Sequence, residues 1–224
     1  MGRRIRIVEQ ARRGTDPQLR WYGSVRPHQS VTVGREGTIA VGASPVDHRV
    51  SRHAATVTAD DRGWSILPTN RNGVLLHPWA QPSQTLHTIE HIIWPRVGVR
   101  VVGHPDMEHW VLLEDDEAYT KGAARYTTGF TEYATPPRPL TDKQLQTVRE
   151  VFGALLAWPP RPDSQVRLIK QAATQMHVTE SAVQERLNNV RDRAAALGLA
   201  RQDVELTDPE YFYALVRAGY IRLP

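Results

Sequence analysis

Between Arg4 and Glu114 apolar and polar residues alternate over short segments, each broken by Gly, Pro, Asn or Asp. Arg4–Val8 alternates, Trp21–Val25 does so loosely, and Val31-Thr32-Val33 runs into Gly34. Ala55–Thr58, Trp64–Leu67, Val74–Leu76, Ile89–Ile93, Val99–Val102 and Trp110–Leu113 follow. A period of two over a few residues places alternate side chains on opposite faces of a strand. Many short strands with turn signals every eight to twelve residues or so predict a β-sandwich or barrel. No helical period is sustained anywhere in this half.

After Glu114 the pattern changes. An acidic run, Glu114-Asp115-Asp116-Glu117, gives way to Gly, Ala and Thr and then to Pro136-Pro137-Arg138-Pro139. Residues 115–139 are predicted to be a linker. Thr141-Asp142 then has the form of an N-cap, and Leu145, Val148, Val151, Phe152, Leu155 and Leu156 predict a helix over Lys143–Trp158. Pro159-Pro160 ends it. A second helix is predicted to be capped by Ser164, with Val166, Ile169, Ala172, Ala173 and Met176 on one face. Thr179 caps a third, which turns Ala182, Val183, Leu187, Val190 and Ala194 inward and ends at Gly198. A last helix starts at Asp208-Pro209 and buries Phe212, Leu215 and Val216 before Gly219. The prediction is an all-β domain over 1–114 and a separate all-α domain over 140–224.

Composition narrows the class. The 224-residue chain is 40% hydrophobic with mixed charge, enough for a core. A net charge of +4 leans weakly towards anionic partners. Nearly all of the positive charge is Arg, the lysines being Lys121, Lys143 and Lys170. Cys is absent, which excludes disulfides and thiolate metal sites and suits a reducing compartment. The start, Met1-Gly2-Arg3-Arg4-Ile5-Arg6, does not lead into a signal-peptide core, and no apolar run approaches a membrane span. A cytoplasmic protein is the expectation.

The candidate chemistry lies between Val33 and Gly73. Gly34-Arg35, Asp47-His48-Arg49-Val50-Ser51-Arg52 and Asn70-Arg71-Asn72-Gly73 each have the form of a loop tip between β-branched runs. Arginines held by glycine-containing turns, with a serine hydroxyl between them, suit a doubly charged tetrahedral anion. The guanidinium fork can meet a phosphate with two charge-assisted bonds. These motifs, in this order, resemble a forkhead-associated (FHA) domain over nearly all of residues 5–114. The resemblance implies an eleven-stranded sandwich that binds phosphothreonine peptides through loops at one end. Arg35 and Ser51 would then bind phosphate oxygens, Arg52 would add charge, and Asn72 would hold the peptide main chain. Gly73 would permit a positive φ. Two positions depart from the family pattern. Ala54 stands where the family has a loop-propping His, since His53 is one place early. Arg71 replaces a Ser or Thr beside Asn72, and either strengthens the phosphate site or blocks it.

Residues 140–198 resemble a helix-turn-helix of the LuxR or sigma-factor region-four kind, carried by Ile169, Ala173, Met176, Val178-Thr179, Ala182-Val183, Leu187 and Val190. That resemblance implies base contacts from an exposed second helix. The DNA-binding candidates are Arg167, Lys170, Ser181, Gln184, Asn188 and Arg191, with Glu180 and Glu185 unhelpful beside phosphates. The combined expectation is a non-enzymatic signalling protein that needs no cofactor. It would bind a phosphothreonine protein, or its own linker phosphorylated at Thr120, Thr127, Thr128, Thr131 or Thr135, and regulate transcription downstream of a Ser/Thr kinase. The alternative is an adaptor whose two halves both bind protein. His87-Thr88-Ile89-Glu90-His91 matches an inverted zinc-peptidase motif, but Thr88, Ile89, Ile92 and Ile93 favour a strand, where the motif cannot work. Trp64, Trp79, Trp94 and Trp110 are expected to pack rather than to stack on a ligand.

Overall fold

The alternating half closes into two facing sheets. The computed structural model describes residues 3–11, 18–115, 139–161, 164–201 and 203–221. The chain divides into two compact units, Met1–Lys121 and Gly122–Pro224. The expected linker falls almost wholly on 116–138, outside the described residues, as do its threonines.

The first unit contains β1 (Arg3–Ala11), β2 (Gln18–Val25), β3 (Ser30–Gly34), β4 (Ile39–Ala40), β5 (Ala55–Ala59) and β6 (Trp64–Pro68). It continues with β7 (Val74–Pro78), β8 (Gln84–Leu86), β9 (Glu90–Ile92), β10 (Arg96–Val101) and β11 (Met107–Asp115). One sheet has the order β2-β1-β11-β10-β7-β8, the other β4-β3-β5-β6-β9. Two of these strands, β4 and β8, carry no readable alternation. Each is only two or three residues long and pairs at a sheet edge, so partner strands rather than local pattern define them.

Register decides which residues form the core. Ile5, Ile7, Val111 and Leu113 face inward from β1 and β11, joined by Leu76, Val97 and Val99. Val33, Val57, Trp64 and Ile66 oppose them from the smaller sheet. Trp64, Trp79, Trp94 and Trp110 are all buried, as expected of packing residues. Glu90–Ile92 is a strand and His91 Nδ1 lies 3.1 Å from Asp60, so His87 and His91 do not share a helical turn.

The second unit contains α1 (Asp142–Phe152), α2 (Ile169–Gln175), α3 (Glu180–Ala196) and α4 (Glu210–Arg217). Thr141 and Gln144 make a reciprocal capping box at the start of α1. The first helix is shorter than its apolar spacing predicts. After Phe152 the chain tightens into a 3-10 helix, Gly153–Leu156, because Gly153 weakens the α-helix and Pro159 disfavours helical geometry before it.

The second helix also begins later than predicted. Ser164 does not cap it; residues 164–168 are irregular, and Arg167 N donates to Val151 O at 2.8 Å. That bond to α1 holds the segment out of the helix, which starts at Ile169 with no side-chain cap. Thr179 does cap α3 through Ala182 N, and Gly198 follows its end at φ +67°. Val183, Leu187, Val190, Phe152, Tyr211, Phe212 and Leu215 make the core, with Phe152 and Phe212 stacked at 5.0 Å. No helix among the described residues is long and apolar enough to cross a membrane.

Candidate functional site

Three turns at one end of the sandwich carry the residues singled out above. The first leaves β3 at Gly34, the second enters β5 at Ala55, and the third joins β6 to β7 across 69–73. Backbone bonds lock the first two together: Arg35 N donates to Ser51 O and Glu36 N to Arg52 O, both at 2.9 Å. Gly34 makes this approach possible. A Cβ there would lie 2.3 Å from Arg52 O, and its φ of +152° disfavours any side chain. The third turn joins through Thr69 N to Ala54 O and Thr69 Oγ1 to His53 O.

The side chains follow. Asn70 Nδ2 donates to Ser51 Oγ at 3.0 Å, which leaves the hydroxyl hydrogen of Ser51 for another acceptor. Among the described residues, the buried Nε of Arg35 and Oδ1 of Asn70 have no hydrogen-bond partner. Arg71 and Asn72 are exposed on the third turn, and Gly73 takes the positive φ expected of it, +67°, with Leu86 O 2.1 Å from where a Cβ would be. Arg52 is exposed and meets Glu36 at 3.3 Å, an ion pair worth about 1 kcal/mol at most. Ala54 is fully buried and His53 is exposed, so no histidine props this loop from the motif position.

A different histidine lies beneath it. His109, on β11, is 2% exposed, with Nε2 3.1 Å from Asp47 Oδ2 and Nδ1 3.3 Å from Glu9 Oε1. Asp47 also accepts from His104 N at 2.6 Å and from Arg49 N at 3.0 Å. Glu9 accepts from Gly42 N and meets Arg20, each at 2.6 Å. Burial by itself would lower the pKa of His109, but its hydrogen bonds to Glu9 and Asp47 outweigh that and raise it. Burial would raise Glu9, yet the bonds from His109 and Gly42, with Arg20, hold it below the usual carboxylate value. Burial opposes ionisation of Asp47 too, and the His104 amide, His109 and the Arg49 amide win. Sequence spacing gave no sign of this cluster; only the Asp47 motif position pointed at one member.

The candidates of the helical unit are placed less favourably. Arg191 is mostly buried, with Nη1 on Val204 O, and also meets Asp192. Arg167 is tied to Glu150. Both make contacts within the unit, because α1 presents the Glu150 carboxylate to Arg167 and the turn after α3 presents the Val204 carbonyl to Arg191. Lys170, Ser181 and Gln184 are exposed and Asn188 is half-buried. Among the described residues no group of three or more His, Cys, Asp or Glu side chains is arranged to hold a metal ion.

No protein-family model and no curated protein matches the sequence. Among solved structures the chain is similar to the FHA-1 domain of Mycobacterium tuberculosis Rv1747. That likeness has 12% sequence identity and a TM-score of 0.30, over 50% of this chain and 99% of that one. At such a TM-score it carries no argument about function.

Proposed function

We propose that the sandwich binds phosphothreonine-containing peptides at the rim formed by Arg35, Ser51, Arg52, Asn70, Arg71 and Asn72. The observation that carries this reading is the interlocking of the turns: Arg35 N donates to Ser51 O at 2.9 Å and Asn70 Nδ2 to Ser51 Oγ at 3.0 Å, which gathers an arginine, a hydroxyl and an amide on adjoining turns. Arg35 supplies the charged fork, Ser51 a hydroxyl donor, and the amides of Asn70 and Asn72 partners for the peptide main chain. Arg71 and Arg52 are exposed and add charge at the edge, so Arg71 strengthens the site rather than filling it. A phosphothreonine ligand requires a Ser/Thr kinase upstream, and the protein takes its place in signalling as a reader of that modification.

The test is binding of a phosphothreonine peptide library to residues 1–121 and to the full chain. Binding that needs both the phosphate and Arg35 supports the reading. Binding that persists after phosphatase treatment and in Arg35→Ala overturns it.

For the helical unit, the internal pairing of Arg167 and Arg191 favours an adaptor surface over a DNA-binding one. DNA binding and transcriptional regulation would rest on Lys170, Ser181, Gln184 and Asn188, one cation among four residues, where affinity comes mainly from neutralised phosphates. A gel shift at low salt, weakening steeply as salt is raised, would restore the DNA reading; no shift supports the adaptor.

A further inference from the structure

The loop that carries Ser51 and Arg52 runs from Gly42 to Ala54 without regular structure, and most of its side chains are exposed. Three amides bond to two carboxylates: Gly42 N at the start of the loop to the buried Glu9, and Arg49 N within the loop and His104 N in the neighbouring 102–106 turn to the loop's own Asp47. His109 sits between those carboxylates. Both ring nitrogens lie within hydrogen-bond distance of carboxylate oxygen, and the ring has almost no contact with water. A neutral imidazole has a single N–H, so one of these contacts would set a nitrogen lone pair against an anion. Only the imidazolium satisfies both.

We propose that protonated His109 is a positioning residue for the phosphate site: it clamps Asp47 to Glu9, holds the Gly42–Arg52 loop in its binding form, and makes phosphopeptide affinity fall as pH rises. The proposal rests on the phosphate-site reading. It also accounts for a loop that lacks a histidine at Ala54, since the support comes from β11 instead.

The groups that face His109 are accounted for on every side. Glu9 approaches from β1, and Arg20 from β2 reaches it only through Glu9. Asp47 approaches from the loop itself. Val101 is the register partner on β10. Gly103 lies so close that a Cβ would be 2.6 Å from both Asp47 Oδ2 and His109 Cδ2. The His104 side chain turns to Asp106, 3.6 Å away and outside the cluster. With His109 charged, two carboxylates face one imidazolium and one guanidinium, and the cluster is neutral. When His109 loses its proton the two carboxylates keep only Arg20, and whichever tautomer forms leaves one of the two ring contacts without a donor, so the bridge between Asp47 and Glu9 is broken.

The sign follows from the raised pKa. The clamp is fully present below the ordinary histidine value of about 6.5 and is lost as pH rises through the higher folded value. The bound phosphate has its second pKa near 6, so measurements above about pH 7 keep the ligand dianionic and isolate the protein.

The test uses the full chain. Imidazole nitrogen chemical shifts between pH 6 and 9 should show both nitrogens of His109 protonated at pH 7. Phosphothreonine-peptide affinity should weaken by about fivefold across the pH range over which those shifts titrate, the scale of freeing one ordered loop residue. In His109→Gln affinity at pH 7 should already be lowered and the pH profile flat, with faster amide exchange at Gly42 and His104. Asp47→Asn, which keeps the shape, should move the alkaline midpoint down without abolishing it. A singly protonated His109 at pH 7, or a His109→Gln profile and amide protection equal to wild type, overturns the clamp while peptide binding persists. Failure of every phosphopeptide to bind overturns the proposed function and the affinity claim together.

Discussion

Arg35 shows how far a single residue can be read in advance and where packing takes over. A guanidinium after Gly34 is legible as a candidate phosphate ligand, but the contacts that join its turn to Ser51, and Ser51 to Asn70, are set only by the folded chain. Hydrogen bonds to a charged group contribute roughly 1.5–3 kcal/mol. Arg35→Ala is therefore expected to weaken phosphopeptide binding by about tenfold to a hundredfold, and Arg35→Lys to recover only part of this because the planar fork is gone. Isothermal titration of the two variants checks both. Asn70 had no assigned role in the sequence. Asn70→Ala should cost about 1 kcal/mol in peptide binding by releasing Ser51, in the same titration. His77 adds a separate pH effect. Its burial lowers the pKa to about 4, so folding forces it neutral and stability is lost as pH falls from the ordinary value of about 6.5 towards 4. His109 acts in the opposite sense, contributing below 6.5 and losing its effect in alkali. His77→Gln should therefore flatten the acid limb of a stability profile from urea titrations, and leave the alkaline limb unchanged.

At the level of elements, turns were read more faithfully than helix starts. Gly34 and Gly73 were legible because one ends a β segment and the other directly precedes one, and both occupy conformations that a side chain would strain. Gly34→Ala should destabilise the sandwich by about 1–3 kcal/mol through the clash with Arg52 O, and lower peptide affinity as well, measured by thermal melts and titration. Thr179 and Thr141 were legible as caps because the hydroxyl and the first free amides are neighbours in sequence. Thr179→Ala should cost the helical unit about 1 kcal/mol, seen as a lower melting temperature. Ser164 has the same local chemistry and caps nothing, since Arg167 N is claimed by Val151 O, a partner on another helix. β4 and β8 escaped for a related reason: two or three residues at a sheet edge take their conformation from the strand they join.

For the molecule as a whole, composition and the change of period foretold an all-β unit followed by an all-α one, and the chain has two compact units of those kinds. Each has its own core, Trp64 and Leu113 in the first, Phe152 and Phe212 in the second. Residues 1–121 alone should consequently fold with a cooperative melt, and bind phosphopeptide as the full chain does. Far-ultraviolet circular dichroism and titration of that fragment provide the check.

The sequence by itself determined what is local: alternation that makes strands, glycines that permit turns, and caps that start helices. Those features depend on neighbours a few residues apart, and short-range sterics and hydrogen bonding suffice to specify them. Tertiary structure alone decided the support beneath the rim. His109 is 100 residues from Glu9 and 62 from Asp47, and no spacing rule connects them. They meet because β1 pairs with β11 in a register that sets Glu9 opposite His109, and because the loop after β4 folds over that end of the core. Burial then makes the charges interdependent, a property that belongs to the closed sandwich and to no segment of the chain.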